Sequence, residues 1–257
     1  MLEPAALNLS SRGNTLNVST DLELASDFSP DSPNSLFDST DEASPSARMV
    51  PAMLHAPPIP GLFFFPSILV PIEFADQVMR FCLDTYFPPS RPGVNQIMLF
   101  GTESIPLILH SLLSTMSSLL KPSLPPTIHT LLFPDTPTRE RQVILNLYHP
   151  GEGITPHVDL LKRYDDGIVG VSFGSSCAMQ FARVEQEESS SPMQLFLPER
   201  SMIVLSGEAR YDWTHGIDKR AVDLVSDSES EWIVERGVRM SVTFRWLLPG
   251  ANIVGDP

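Results

Sequence analysis

The chain has 257 residues, of which 42% are hydrophobic and 19% charged, so it has enough apolar material for one sizeable core and is not disordered throughout. Its formal net charge of −14 at pH 7 argues against tight, sequence-independent binding of nucleic-acid phosphates, because such binding needs a cationic surface. Apolar runs such as residues 61–71 are short and interrupted by proline, so we expect no membrane-spanning segment.

Most of the negative charge lies in three segments. Residues 1–50 carry eight acidic residues against two arginines, and acidic surface segments are also expected at 185–188 and 223–235. Residues 1–58 are rich in Ser, Asp, Asn and Pro without a sustained hydrophobic period, which predicts a disordered tail. This tail has neither the basic character of a transit peptide nor the apolar core of a secretory signal, and two cysteines in apolar stretches, Cys82 and Cys177, fit a reducing compartment. We therefore expect a cytoplasmic or nuclear protein.

Regular structure is predicted to begin near residue 60, where the aromatic run at 62–65 is typical of a buried strand. Apolar residues at helical spacing predict two helices, over 72–86 and 106–120. From residue 141 onward, short apolar segments punctuated by Gly, Pro and Ser predict strands at 142–148, 168–173, 178–182, 194–197, 201–206 and 239–247. This order predicts an α+β fold, a double-stranded β-helix (jelly roll) with supporting N-terminal helices.

Candidate metal ligands lie in two segments. Residues 146–159 read NLYHPGEGITPHVD and end in an H-x-D motif, His157 and Asp159. In an extended segment, residues i and i+2 point to the same side, so this imidazole and this carboxylate share a face. A second imidazole, His215, lies in the segment YDWTHG. Two histidines and one carboxylate are the ligand set of open Fe(II) sites, although H-x-D also occurs by chance and a histidine in a strand is more often a packing residue.

Two arginines six residues apart, Arg239 and Arg245, are predicted to share one face of the last strand. The planar guanidinium binds carboxylates through two hydrogen bonds, and a buried pair on one face requires an anionic partner. A dicarboxylate would satisfy both arginines. The alternative is that they pair with local acids such as Glu235 or face solvent.

These residues, in this order, resemble the AlkB-like Fe(II)- and 2-oxoglutarate-dependent dioxygenases. The shared motifs are N-x-Y at 146–148, H-x-D at 157–159, GEARY at 207–211, HGI at 215–217 and R-x5-R at 239–245. The resemblance covers about residues 60–248 and implies one dioxygenase domain over 59–257. It also implies that His157, Asp159 and His215 bind Fe(II).

The resemblance further implies a site for 2-oxoglutarate, which is the co-substrate of the family. Arg239 and Tyr148 would hold its distal carboxylate, and Arg245 with Asn146 would lie near the carboxylate that chelates the metal. Ser241 stands where some members carry Asn, and its hydroxyl still supplies a hydrogen-bond donor. The resemblance names no catalytic residue beyond the metal ligands.

Three side chains, Ile144, Tyr148 and Val242, are predicted to wall the co-substrate pocket, although ordinary core positions fit them equally well. The implied chemistry is oxidation of a C–H bond with consumption of 2-oxoglutarate and O2.

The nearest resemblance is to two eukaryotic branches, one that hydroxylates a wobble uridine in tRNA and one that is mitochondrial. We therefore predict hydroxylation or demethylation of a modified nucleobase, expected in RNA. Single-stranded RNA or tRNA would bind weakly, through an unpaired base rather than through many phosphates. The alternatives are hydroxylation of a protein side chain and a non-catalytic jelly-roll interaction module. We expect a monomer.

Overall fold

The computed structural model of the protein describes residues 49–185 and 192–251. The strands are β1 (Ala52–Met53), β2 (Leu62–Leu69), β3 (Gln96–Phe100), β4 (Arg141–Tyr148), β5 (Ile154–His157), β6 (Ile168–Phe173), β7 (Cys177–Arg183), β8 (Met193–Leu197), β9 (Ser201–Leu205), β10 (Trp213–Ile217), β11 (Val222–Ser226), β12 (Glu231–Glu235) and β13 (Arg239–Trp246). The helices are α1 (Ile72–Tyr86), α2 (Leu107–Leu120), α3 (Pro126–Leu132) and α4 (Glu208–Tyr211), with a 3₁₀ turn at Thr102–Ser104. In the described ranges, every helix is too short or too polar to cross a bilayer.

The strands form two sheets, which bears out the α+β prediction. One sheet has six antiparallel strands in the order β2-β9-β6-β13-β4-β3. The other has seven strands in the order β12-β11-β1-β8-β7-β10-β5, and its pairs are antiparallel except where β1 lies parallel to β11 and β8. Every residue of β4 and β6 is buried, and β4 buries Arg141, Gln142 and Asn146 together with its apolar residues.

The main core lies between the helices and one face of the six-stranded sheet. Helix α1 contributes Ala75, Val78 and Cys82, and α2 contributes a stripe that includes Leu112 and Met116. These residues recur every three or four positions, so each helix places one apolar face on the sheet. The predicted bounds of α1 are confirmed, and α2 begins one residue later than predicted.

The opposite face of this sheet is polar and carries the predicted co-substrate residues. On β13, Met240, Val242 and Phe244 belong to the helix-side core, so the alternate residues Arg239 and Arg245 point the other way. The register places Arg239 opposite Tyr148, Ser241 opposite Asn146 and Arg245 opposite Gln142. Cross-strand partners share a face, so these six side chains lie on one surface.

Ordered structure begins earlier than the predicted boundary at residue 58. Ala52 is fully buried, and β1 pairs with β11 and β8. A two-residue strand flanked by prolines gives no periodic signal, which is why composition alone assigned it to the tail. Residues 1–48 lie outside the described residues.

The segment 223–235 was expected to be an acidic surface segment, and the structure corrects this in part. The segment forms most of the β11–β12 hairpin, in which Asp223 is fully buried. The Asp223 carboxylate accepts two hydrogen bonds of 2.7 Å from Arg236 and one of 3.0 Å from Arg220. Arg220 precedes the segment 223–235 and Arg236 follows it, so a count of the charges within the segment did not reveal this pairing.

Candidate functional site

The two predicted histidine ligands are brought together by the pairing of β5 with β10. His157 and His215 are cross-strand partners, and their ring centroids lie 4.5 Å apart. The strands approach closely because both contribute small residues at the crossing: a Cβ atom on Gly216 would lie 2.8 Å from the backbone of Pro156, and one on Gly153 would lie 2.1 Å from the carbonyl oxygen of Ile217. Glycine at these two positions therefore sets the distance between the imidazoles.

The surroundings of His157 and His215 favour metal binding by both imidazoles. The Nδ1 atom of His157 lies 2.8 Å from the carbonyl oxygen of Thr155, which can only accept, so Nδ1 donates there and Nε2 is the ring nitrogen left to bind a metal. Burial, together with the neighbouring His157, lowers the pKa of His215 to about 4. His215 is therefore neutral at pH 7, the state in which a histidine binds a metal.

The third predicted ligand, Asp159, follows β5 directly and is buried. Its Oδ1 atom forms an ion pair with Arg245. Burial opposes ionisation of this carboxyl, but Arg245, with His215 and His157, outweighs that effect and lowers its pKa to about 2. Arg245 also donates from Nε to Oε1 of Gln142 at 2.8 Å. Arg245 was predicted to lie beside the co-substrate, and the structure shows that it also contacts Asp159, the carboxylate predicted to bind the metal.

The side chains of His157, His215 and Asp159 are of the types that bind Fe(II), although they do not surround a metal position in this structure. Among the residues that the structure describes, no three His, Cys, Asp or Glu side chains have metal-binding spacing. Only Oδ1 of Asp159 takes part in the ion pair, so Oδ2 is left for another partner. Two neutral imidazoles and one ionised carboxylate are the ligands of open Fe(II) oxygenase sites.

Arg239 carries buried donor atoms that suit a carboxylate. It is 4% exposed, and its Nη2 atom donates to Oγ of Ser172 at 2.8 Å. Its Nε and Nη1 atoms are buried without any hydrogen-bond partner. A small cavity beside it is also lined by Tyr148 and Cys177. Unpaired buried donors on a cation are costly, so this position fits an anionic ligand such as a carboxylate.

The remaining predicted co-substrate residues surround Arg239. Tyr148 lies with its ring centroid 5.2 Å from the Arg239 guanidinium carbon. Burial raises the Tyr148 pKa, against the charge of Arg239 and hydrogen bonds with Ser241 and Asn146. The Oδ1 atom of Asn146 also accepts a hydrogen bond of 2.9 Å from Nε2 of Gln96. The structure therefore places Asn146, Tyr148, Arg239 and Ser241 in one polar cluster.

The prediction that Val242 forms a wall of the co-substrate pocket is wrong. It lies in the helix-side core with no exposed surface, whereas Ile144 and Tyr148 lie on the polar face. Val242 stands three residues from Arg239 in the same strand, and an odd separation puts the two on opposite faces. The sequence contained this signal.

Arg210 lies in the GEARY motif, and no role was predicted for it from the sequence. It is 2% exposed and donates to the carbonyl oxygens of Asp159 at 3.0 Å, Tyr164 at 2.9 Å and Asp165 at 3.4 Å. It therefore fixes the loop that follows β5 and carries Asp159. The sequence could not predict these contacts, because every residue type has a backbone carbonyl oxygen and the acceptors therefore form no recognisable motif.

Comparison with known proteins identifies the family of the chain. The model of the 2OG-Fe(II) oxygenase superfamily matches residues 101–245, more than half of the chain. The tRNA (carboxymethyluridine(34)-5-O)-methyltransferase alkbh8 of Xenopus tropicalis is 36% identical over 116 residues, which are 40% of this chain and 18% of that protein. The mitochondrial alpha-ketoglutarate-dependent dioxygenase alkB homolog 7 of Bos taurus is 33% identical over 124 residues, which are 45% and 52% of the two chains.

A third relative is the N6-methyladenosine RNA demethylase ALKB1 of Pyricularia oryzae, 30% identical over 129 residues, 45% of this chain and 36% of that protein. Each match spans about half or less of the relative's own length. The predicted AlkB-like resemblance is confirmed, including its tRNA-modifying and mitochondrial branches. The superfamily match covers more than half of the chain and includes every predicted site residue. The chain therefore belongs to the 2OG-Fe(II) oxygenase superfamily and is a 2-oxoglutarate-dependent dioxygenase.

Proposed function

We propose that this dioxygenase hydroxylates or demethylates a modified nucleobase in RNA. Two of the relatives support this substrate class, because one is named for a modified uridine of tRNA and another for N6-methyladenosine in RNA. The proposal includes the jelly-roll arrangement of the two sheets, which is the fold expected of the superfamily.

The roles of the residues combine the family resemblance with their contacts. His157, Asp159 and His215 would hold Fe(II), and Arg210 keeps the Asp159 loop in place. Bound iron, with 2-oxoglutarate and O2, supplies oxidative decarboxylation of the 2-oxo acid coupled to insertion of oxygen into a C–H bond.

Arg239 would anchor the far carboxylate of 2-oxoglutarate beside Tyr148, while Asn146 and Ser241 would orient the rest of the co-substrate. The single observation that carries this assignment is the pair of unpartnered, buried donor atoms on Arg239. Arg245 neutralises the buried Asp159 carboxylate and so keeps it ionised for the metal.

Hydroxylation of a protein side chain is the second candidate. Leu160 and Leu161 follow Asp159 directly and are 62% and 56% exposed, so an apolar surface borders the predicted metal site. Such a surface suits an apolar peptide side chain as well as the face of a base. A non-catalytic interaction module is the weakest alternative, because the superfamily match includes every predicted metal-binding and co-substrate residue.

The test uses the full-length protein with Fe(II), ascorbate and 2-oxoglutarate. Total RNA and tRNA from cells that lack the protein would be treated with the wild type or with His157→Ala, and nucleosides would be compared by mass spectrometry. We expect one modified nucleoside to be converted by the wild type alone, with matching formation of succinate.

Peptide libraries treated in parallel provide the opposing result. Oxidation of a peptide without any change in the nucleosides would overturn the RNA proposal in favour of the protein side chain. Succinate formation with neither substrate would retain the dioxygenase activity but contradict the nucleobase assignment for the RNAs tested.

A further inference from the structure

A second cleft lies on the helix side of the six-stranded sheet. It has a volume of about 260 Å³ and is lined by α2, the segment after α3 and the first residue of β4. Leu113, Phe133 and Pro134 give it apolar walls, Ser114 gives it a hydroxyl, and Arg141 gives it a charge.

This cleft is distinct from the oxygenase site. Arg141 precedes Gln142 in β4, and Gln142 points to the polar face, where it accepts a hydrogen bond from Arg245. Neighbouring residues of a strand point to opposite faces, so Arg141 points to the helices, like Val143 and Leu145 in the helix-side core. A ligand bound here would have the sheet between itself and the metal ligands.

The Arg141 side chain is buried without a counter-ion. It is 8% exposed, its guanidinium carbon lies 3.5 Å from the centroid of a Trp246 ring, and its Nη2 atom donates to the carbonyl oxygen of Leu132. Its Nη1 atom has no hydrogen-bond partner, and in the described part of the chain no carboxylate lies within ion-pair distance of it. Burial, with the charge of the nearby Arg139, lowers its pKa to about 9.

Three other buried arginines are better satisfied than Arg141. Arg236 is paired with Asp223, and Arg245 is paired with Asp159. Arg210 has no carboxylate partner, but each of its guanidinium nitrogens donates to a backbone carbonyl oxygen. Arg239 shares with Arg141 the combination of deep burial and an unpartnered donor, and Arg239 faces the predicted co-substrate site. A buried cation without an anion is costly, and Arg141 lines the cleft, so an anion bound there would offset this cost, as an anion beside Arg239 would.

We propose that this cleft is a second ligand site, which binds a small monocarboxylate with an apolar body. The planar guanidinium matches a carboxylate in shape, and one cation balances one negative charge. The apolar walls would cover a hydrocarbon or aromatic body. The volume lies just below the roughly 300–1,000 Å³ of pockets for drug-sized ligands, so the ligand is smaller than those.

The test measures binding of 4-fluorobenzoate to the full-length protein by fluorine NMR. Ser114→Phe introduces a large side chain from an exposed position of α2 into the cleft and should weaken binding at least about tenfold. Ser111→Phe is the matched control, because Ser111 is exposed on the same helix but outside the lining, and it should leave binding unchanged.

Two arginine variants locate the charge that binds the probe. Arg141→Met should abolish binding, whereas Arg239→Ala should not affect it. The Ser114→Phe result decides the matter if Arg141→Met does not fold, because Ser114 is exposed. Loss of binding in Arg239→Ala alone, equal weakening in both serine variants, or no binding to the wild type would overturn the proposal. Displacement of the probe by an equal concentration of inorganic phosphate would show that charge alone is recognised and would also contradict it.

Discussion

Two buried arginines of β13 have different partners, and this difference gives each one its own testable consequence. Arg245 is neutralised within the protein by Asp159, whereas Arg239 keeps two donors without partners. Removing Arg239 should therefore affect the binding of a ligand, and removing the partner of Arg245 should affect the stability of the fold.

Arg239→Ala should raise the KM for 2-oxoglutarate about tenfold or more, because breaking a buried charge pair costs about 2–5 kcal/mol. Arg239→Lys should restore only part of the affinity, since an ammonium group lacks the two-donor fork. Succinate formation at varied 2-oxoglutarate concentrations measures both.

Arg80→Ala is the control, because Arg80 lies on the exposed side of α1, where its Nε donates to the backbone carbonyl oxygen of Asp76. An unchanged KM in Arg239→Ala would assign Arg239 a structural role.

Asp159→Ala should abolish Mn(II) binding and turnover, and it should also destabilise the protein. The structure adds the second effect: the substitution leaves Arg245 buried without its partner, which costs about 3–5 kcal/mol. Urea unfolding of the metal-free protein measures the loss.

The double variant Asp159→Ala with Arg245→Met tests the cause. It removes both charges and should recover much of the lost stability while metal binding stays absent. Equal stability of the single and double variants would mean that the ion pair is not the source of the effect.

Among the elements, the pairing of β5 with β10 controls the site most directly. Gly216→Ala would place a methyl group 2.8 Å from the backbone of Pro156, closer than such contacts occur, so the strands must separate. We expect a clear loss of Mn(II) affinity, measured by electron paramagnetic resonance, because His157 and His215 would move apart.

Gly237→Ala is the matched control, since its methyl group would meet only ordinary contacts at 3.5 Å from Ser175. Mn(II) affinity equal to the wild type in Gly216→Ala would show that the crossing tolerates a wider spacing.

The elements also show what the sequence could and could not predict. Helix α1 and the central strands β4, β6 and β13 were predictable because each buries a regular apolar pattern of its own. In contrast, β5 is four residues long and contains a proline, and it exists because β10 pairs with it.

The same limit applies to the site. The order of the motifs predicted which residue types would meet, and parity along β13 predicted which residues share a face. The contact between Arg245 and Asp159 was not predictable, because it joins residues far apart in the chain through the packing of whole elements.

For the whole molecule, the start of the fold can be tested with two truncations. A chain that begins at Met49 should keep full turnover of 2-oxoglutarate, since every described element remains. A chain that begins at residue 59 should be less stable and less active, because it lacks β1, which joins β11 to β8. Equal activity and melting temperature of the two would show that β1 is dispensable.

The charge distribution of the whole molecule predicts how RNA binding depends on salt. The net charge of −14 leaves little cationic surface, so we expect single-stranded RNA to be held through a base, with only about two or three phosphate contacts. The logarithm of the affinity should then fall with the logarithm of the salt concentration with a slope of about −2. Fluorescence anisotropy at several salt concentrations measures it, and a slope several times steeper would reveal a basic surface assembled by folding.

Strand β1 also has a consequence for how the protein forms. It is the first strand of the described chain, yet the strands on either side of it end at Leu197 and Ser226. During synthesis on a ribosome, β1 must therefore wait for most of the chain before either neighbour exists. Closing such long loops carries an entropic cost that local contacts do not, and topologies of this kind fold slowly. The first strand of the described residues is thus among the last to pair, and until then the hairpin of β11 and β12 has an unpaired edge.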